Sequence, residues 1–165
     1  MSDIYVECLI KAKPSGAGKF LKAVLIVLTV ILVMLAMVGI VFGFIGAIIT
    51  GVGAYFVNLY TYVEYEYLYL DKELTVDKVL AKTKRKRVGT YAIERIEAFA
   101  PIKSYHLDNF KNRDVKVKDF SIGEELQPDR RYALYYEGGE KLILSPSEEL
   151  VKVMKSVAPR KVFTD

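Results

Sequence analysis

Two side chains in this sequence carry chemistry that could support catalysis, and neither has the partners that catalysis needs. His106, within Ser104–Asp108, is the sole histidine and therefore the one side chain that titrates near neutral pH without perturbation. Cys8 is the sole cysteine. A nucleophilic site requires a base held beside a Ser or Cys, and a zinc site requires more His and Cys ligands than these two residues supply. We therefore predict a protein that is not an enzyme and that holds no metal or cofactor.

A basic run is the most concentrated charge in the chain. Five of the six residues from 82 to 87 are basic: Lys82, Lys84, Arg85, Lys86 and Arg87. Such a run fits anionic lipid headgroups, which attract each cation by about 1 kcal/mol near the surface. It fits equally well a solvated strand edge, where lysines discourage sheet-to-sheet aggregation. Nucleic acid is not expected as a partner, because the 24 basic and 20 acidic residues nearly balance.

The element that must position this run is a membrane segment. No charged residue or histidine occurs from Ala23 to Val63, although 27% of the chain is charged. One continuous helix over that stretch would be about 60 Å long, twice the hydrocarbon thickness of a bilayer. The stretch is also too long for a cleaved signal peptide. We therefore predict a transmembrane hairpin over residues 20–60, with helices at about 20–38 and 43–59 and a break among the glycines between them.

The lysines before the first helix set the predicted orientation. Lysine is the only charged residue type from Cys8 to Lys22, and the four positions are Lys11, Lys13, Lys19 and Lys22. Short loops of this kind stay in the cytoplasm, so both termini should be cytoplasmic in a multi-pass protein of the cell membrane. The region near Gly43 should then face the outside. The unpaired Cys8 agrees with a reducing compartment.

Small residues recur every fourth position through the second half of the hairpin. The stripe consists of Gly39, Gly43, Ala47 and Gly51. Stripes of this type allow another helix to approach closely. Packing of the two helices within one chain is the favoured explanation, and homodimerisation is the alternative. The stretch from Ala23 to Val63 contains no Asp, Glu, Lys, Arg or His, which argues against a transporter or channel.

Residues 61–165 predict a cytoplasmic, β-rich domain that ends in a helix. Alternating apolar residues and turn signals predict strands at 61–70, 73–80, 87–93, 96–102, 115–120, 131–137 and 140–144. Gly138-Gly139 is a two-residue hairpin turn. Ser145 as N-cap, Pro146 and Glu148 predict the start of a helix at 146–157. The segment 1–19 is cytoplasmic, and Ile4 to Ile10 alternates in a way that leaves an additional edge strand open.

Several of these segments resemble known families. Tyr67 to Lys78, followed by a basic strand and Ile93-Glu-Arg-Ile96, resembles the opening of bacterial pleckstrin-homology-like (PH-like) domains. Segments that begin at Tyr5, Val63, Ala100 and Val157 resemble an uncharacterised family of small membrane proteins from Gram-positive anaerobic bacteria. The second resemblance covers nearly the whole chain. Together they imply an α+β fold, a two-helix anchor before an antiparallel, bent sheet closed by one C-terminal helix, and they bring no known activity.

The expected function is therefore that of a membrane-anchored cytoplasmic module for binding or scaffolding. Its expected partners are membrane lipid and another membrane protein or a second copy of the chain. An accessory subunit of a larger membrane complex is the alternative. A membrane-associated hydrolase or transferase is least favoured, because it would need His106 in a cleft beside a positioned nucleophile or carboxylate.

Overall fold

The computed structural model describes residues 5–123 and 129–164. These residues form two compact units. The first unit comprises Met1–Ala12, Glu64–Val79 and Arg85–Asp165, and the second comprises Lys13–Val63 and Leu80–Lys84. Most of the second unit is therefore inserted in sequence between two segments of the first.

The second unit is dominated by a helical hairpin. Helix α1 runs from Gly16 to Met37 and helix α2 from Val41 to Thr61. The two predicted helices are therefore present, with longer bounds than predicted. Ser15 caps α1 by accepting a hydrogen bond from the Gly18 amide, and the break falls at Gly39, whose φ is +97°. Both helices are long and apolar enough to cross a membrane by length and composition.

The first unit contains two four-stranded sheets and a C-terminal helix. In the first sheet the strands β1 (Val6–Lys11), β2 (Val63–Leu70), β3 (Glu73–Leu80) and β4 (Lys84–Ala92) lie in sequence order. In the second sheet the order is β5-β7-β8-β6, with bounds Ile96–Pro101 for β5, Lys116–Asp119 for β6, Tyr132–Tyr136 for β7 and Glu140–Leu144 for β8. Helix α3 spans Glu148–Val157. The α+β fold with one closing helix is thus confirmed, and β6 adds a parallel pairing with β8.

Strand β1 precedes the helical hairpin in sequence but belongs to the same sheet as the strands that follow it. It pairs antiparallel with β2, with Cys8 opposite Tyr67 and Lys11 opposite Glu64. Val6, Cys8 and Ile10 face the core. Ile4, where the open edge-strand prediction began, lies outside the described residues. The hairpin is therefore an insertion between two paired strands.

The predicted start of the last helix was wrong by two residues. Ser147, rather than Ser145, caps α3 by accepting a hydrogen bond from the Leu150 amide at 3.2 Å. The Ser145 hydroxyl instead accepts a hydrogen bond from the Ile122 amide at 3.1 Å. Ser145 is therefore engaged in a contact with a residue distant in sequence, and Ser147 caps the helix. Another difference is that β4 begins at Lys84, within the basic run, instead of Arg87.

The core of the first unit is centred on Tyr67, whose side chain has no exposed surface. Its hydroxyl donates to the Phe120 carbonyl at 2.5 Å and accepts from the Ser145 amide at 3.1 Å. These two bonds join β2 to the end of β6 and to the segment before α3. Burial raises the pKa of the Tyr67 phenol far above its usual range, so the hydroxyl stays neutral.

The pairing of β1 with β2 predicts that the hairpin is dispensable for folding and that β1 is not. Replacing residues 12–63 by Asn-Gly would join Lys11 to Glu64 through a turn that suits an antiparallel pair. We expect a soluble, cooperatively unfolding protein, observed by size-exclusion chromatography and circular dichroism. A matched fragment that begins at residue 61 lacks β1, exposes the core face of β2 and should aggregate. Equal behaviour of the two proteins would contradict the role of β1.

The Tyr67 hydroxyl predicts a second stability effect. Tyr67→Phe leaves a buried carbonyl and a buried amide unpaired, so the free energy of unfolding should fall by about 1–3 kcal/mol. Urea unfolding of the full chain in mild detergent, followed by near-UV circular dichroism, measures this loss. Tyr105→Phe is the control, because Tyr105 is 70% exposed.

The same substitution has a pH signature. The unfolded tyrosine ionises near its usual pKa of about 10, whereas the folded one does not, so wild-type stability from this group is lost as pH rises above about 10. The variant has no such loss at position 67. The stability difference between the two proteins should therefore shrink above pH 10, and a constant difference would contradict the buried, neutral hydroxyl.

Candidate functional site

The basic run forms the turn between β3 and β4 and the first half of β4. Ala81 and Lys82 make a two-residue turn with φ values of 44° and 60°, closed by a hydrogen bond of 3.0 Å from the Thr83 amide to the Leu80 carbonyl. From Lys84 the run continues as strand. All five predicted basic residues are exposed, which leaves both predicted roles of the run open.

The two arginines of the run are ion-paired with buried carboxylates. The Arg85 guanidinium contacts both oxygens of Glu66, at 2.9 Å and 2.7 Å, although Glu66 itself is only 3% exposed. Arg87 Nε lies 3.5 Å from Asp77 Oδ1, and Asp77 is 4% exposed. A buried carboxylate without a partner is costly, so these arginines are engaged in stabilising the sheet.

Glu66 also belongs to a pair of carboxyl groups. Burial raises the pKa of Glu66, and a hydrogen bond with Glu7 acts in the same direction. Conversely, a hydrogen bond that the Tyr5 hydroxyl donates to Glu7 at 2.7 Å lowers the pKa of Glu7, and the bond with Glu66 adds to this effect. Arg85 lowers the pKa of both groups. The guanidinium therefore opposes the rise of the Glu66 pKa and adds to the lowering of the Glu7 pKa.

Sequence reasoning missed these acidic partners. Alternation puts Glu64 and Glu66 on the face of β2 opposite Tyr65 and Tyr67, and both glutamates are buried there. The signal that could have identified the pair was the alternation of acidic residues on one strand with a basic strand following in the same sheet. Because both arginines of the basic run are ion-paired within the sheet, the cations of the run that could contact a ligand are its three lysines.

The turn at Lys82 lies beside the end of α2, within the second unit. The Ala81 amide donates a hydrogen bond of 2.8 Å to the carbonyl of Tyr62, the residue directly after α2. At this end of the hairpin Lys22 Nζ donates to Asn58 Oδ1 at 2.8 Å and lies 5.3 Å from the Tyr62 ring centroid. Polar side chains of both helices and Lys82 thus gather at one end of the hairpin.

The small-residue stripe of the hairpin lies partly between the two helices of this chain. Gly39 forms the turn. A Cβ on Gly43 would lie 2.7 Å from the Leu32 carbonyl oxygen, so only glycine fits there. Ala47 is half-buried, and Gly51 faces the Thr29 methyl group at the distance of an ordinary contact. Close approach at Gly43 supports packing within the chain.

His106 and Cys8 occupy structural positions. The His106 ring stacks on Phe163 with centroids 3.8 Å apart and planes at 14°, and it also contacts the Tyr105 ring. Cys8 is buried in the core opposite Tyr67. Within residues 5–123 and 129–164, no group of three or more His, Cys, Asp or Glu side chains is arranged to hold a metal ion.

A cleft of about 630 Å³ lies at the C-terminal end of α3. Its apolar wall includes Ile93 and Val157, and Lys72, Glu94 and Lys161 stand at its edge. Lys161 Nζ donates to the Glu94 carbonyl at 2.6 Å, and Lys72 Nζ lies 4.0 Å from the Glu94 carboxylate. Both lysines thus interact with Glu94, which also lines the cleft.

The architecture defines a class of protein: two sheets of mainly antiparallel strands closed by a C-terminal helix form a PH-like domain, here interrupted after its first strand by an apolar helical hairpin. Residues 2–164 match the family described as "Bacterial PH-like domain (DUF6106)". The chain belongs to that family, whose function is unknown, and the resemblance to an uncharacterised family with a PH-like domain is confirmed. No curated protein and no solved structure matches the chain.

The ion pairs predict that the arginines and lysines of the run respond differently to substitution. Arg85→Gln with Arg87→Gln should lower the free energy of unfolding by about 1–3 kcal/mol, below the roughly 3–5 kcal/mol of a fully buried pair because the exposed guanidinium groups are screened by water. The triple variant with Gln at 82, 84 and 86 removes more charge and should leave stability within about 0.5 kcal/mol.

Lowering the pH tests the cause of that loss. The penalty in the arginine variant is the cost of buried, ionised carboxylates, so it is greatest above the raised folded pKa of Glu66. It should diminish as pH falls toward the unfolded value of about 4.3, because protonation removes the charge. Unfolding curves at pH 7 and pH 5 provide the measurement. An equal loss in the arginine and lysine variants would refute the division of roles.

Proposed function

We propose that this protein is a binding or scaffolding module held at the cytoplasmic membrane by its helical hairpin, with Lys82, Lys84 and Lys86 against anionic lipid headgroups. The observation that carries the proposal is the hydrogen bond between the Ala81 amide and the Tyr62 carbonyl. It ties the lysine-bearing turn to the residue at which the hairpin ends.

The exposed surface of the hairpin supports the membrane anchor. Large apolar side chains on both helices are open to the surroundings, including Phe20, Met34, Phe42, Ile48 and Ile49, each more than 60% exposed. In water such a surface would be an aggregation hazard. In hydrocarbon it is the expected lipid-facing surface, because the helices satisfy their backbone groups internally.

Charge and topology together support cytoplasmic termini. Lys11, Lys13, Lys19 and Lys22 precede or begin α1, and Lys82 lies at the corresponding end of α2. The pairing of Lys11 with Glu64 requires the chain to enter and leave the hairpin at neighbouring points. All these lysines then fall on the side of the membrane where positive charge is retained.

The magnitude of the lysine contribution fits orientation of an anchored domain better than recruitment of a free one. At about 1 kcal/mol per cation, three lysines supply about 3 kcal/mol. That energy gives only millimolar binding or weaker for a free protein. For a domain already tethered, the same energy suffices to favour one orientation on the membrane surface.

A binding role rather than catalysis is further supported by the position of His106. Its ring is covered by Phe163 on one side, so this histidine is engaged in stacking. Membership of the family indicates the PH-like fold and does not identify a ligand.

Vesicle binding of the hairpin-free protein, with Asn-Gly in place of residues 12–63, tests the lipid contact. Cosedimentation with phosphatidylcholine vesicles that contain phosphatidylglycerol should be measurable at low salt and should fall at physiological salt, where screening acts over about 8 Å. Pure phosphatidylcholine vesicles should bind little. Substituting Gln at 82, 84 and 86 should remove most of the binding.

A matched triple variant controls for net charge. Lys111, Lys116 and Lys152 are exposed and lie outside the basic run. Their replacement by Gln removes the same charge and should leave most vesicle binding intact. Equal losses in the two triple variants would reduce the lysine run to a general charge effect and would sink the lipid-contact proposal.

A further inference from the structure

The tip of the helical hairpin has no polar side chain. From Val30 to Ile49 every side chain is apolar or absent. The residues around the turn are nevertheless the most exposed of the hairpin, with Met37 at 82%, Val38 at 81% and Phe42 at 82%. A loop that emerges into water at the far side of a membrane normally carries polar residues, so this tip is unusual for an aqueous loop.

Four backbone amides at the turn donate to carbonyls of the hairpin itself. The Val38 and Ile40 amides donate to the Leu35 carbonyl at 3.2 Å, the Gly39 amide to the Ala36 carbonyl at 3.1 Å, and the Gly43 amide to the Ile40 carbonyl at 2.9 Å. The left-handed conformation of Gly39 makes this compact turn accessible. These four bonds reduce the number of amides that would be unpaired in hydrocarbon, where each unsatisfied group costs several kcal/mol.

The length of the hairpin gives the depth of the tip. At the polar end, Lys22 and Asn58 are joined by a hydrogen bond and mark one level on the two helices. From Lys22 to the end of α1 at Met37 the helix rises about 22 Å, and from the start of α2 at Val41 to Asn58 it rises about 26 Å. The hydrocarbon core of a bilayer is about 30 Å thick.

We infer that the tip of the hairpin ends among the acyl chains of the outer leaflet, so that the protein is inserted from the cytoplasmic side and exposes no aqueous loop outside. The inference rests on the proposed membrane anchor. It replaces the sequence-based expectation that the region near Gly43 is accessible from outside. Its partner surface is hydrocarbon, and every polar contact of the protein is then made on the cytoplasmic side.

Site-directed spin labelling of the full chain in phosphatidylcholine–phosphatidylglycerol liposomes tests this depth. Single cysteines replace Val38, Phe42, Val30 and Lys13 in a Cys8→Ala background. Collision rates with oxygen, which partitions into hydrocarbon, and with a water-soluble nickel chelate report the depth of each label. We expect the oxygen-to-nickel ratio at 38 and 42 to match that at 30 and to exceed the ratio at 13 several-fold.

The reference positions separate failure of the inference from failure of the anchor. If labels at 38 and 42 collide with nickel as often as the label at 13 while 30 remains protected, the tip emerges into water and the inference is wrong. If the label at 30 also collides with nickel, the hairpin does not enter the bilayer, and the proposed membrane anchor is wrong as well.

A labelling experiment in cells gives an independent readout. A membrane-impermeant maleimide should label Val38→Cys neither in intact cells nor in broken membranes, and should label it once detergent dissolves the bilayer. Lys13→Cys should be labelled in broken membranes alone. Labelling of the cysteine at 38 in intact cells would overturn the inference.

Discussion

The pairing of β1 with β2 is the constraint on which the rest of the structure depends. Lys11 and Glu64 are neighbours in one sheet, although the whole helical hairpin lies between them in sequence. An insertion of this kind must leave and re-enter the sheet at adjacent points, and two antiparallel helices of similar length meet that requirement. The apolar hairpin thus takes the place of a strand connection in the PH-like fold, and the domain cannot be completed by the residues after the hairpin alone.

Buried polar groups in the β-rich unit are stabilised in two ways. The Tyr67 hydroxyl is neutral and makes two hydrogen bonds that join the two sheets, at no cost in charge. Glu66 and Asp77 are ion-paired with arginines whose guanidinium groups remain largely exposed, and the contacts of Glu66 Oε2 and Asp77 Oδ1 are ionic without a hydrogen bond. This second solution lets water stabilise one member of each pair, which lowers the desolvation cost that fully buried pairs incur. It also assigns the arginines of the basic run to the fold and its lysines to the surface.

The chain belongs to a PH-like family of unknown function. In the proposed function, the hairpin anchor determines where the protein resides, and affinity of the domain for lipid does not. The hairpin supplies a large apolar surface, and the three lysines supply an energy suited to orienting a tethered domain. In the proposed arrangement, with an apolar tip and polar residues gathered at the opposite end, the hairpin would separate a hydrocarbon-facing part from a part that meets the cytoplasm. Binding by the module would then take place close to the inner leaflet.

The sequence alone determined the elements whose causes are local. The uncharged stretch required two helices, alternation marked the strands, and the proline and serines before residue 148 marked the last helix, because hydropathy and backbone preferences act over a few residues. Tertiary structure decided the remainder. Whether Val6–Lys11 joins the sheet, which serine caps α3, and which cations of the basic run are engaged all depend on residues distant in sequence. Alternation identifies a strand but not its neighbour, and an exposed arginine and lysine look alike until a buried carboxylate is found beside one of them.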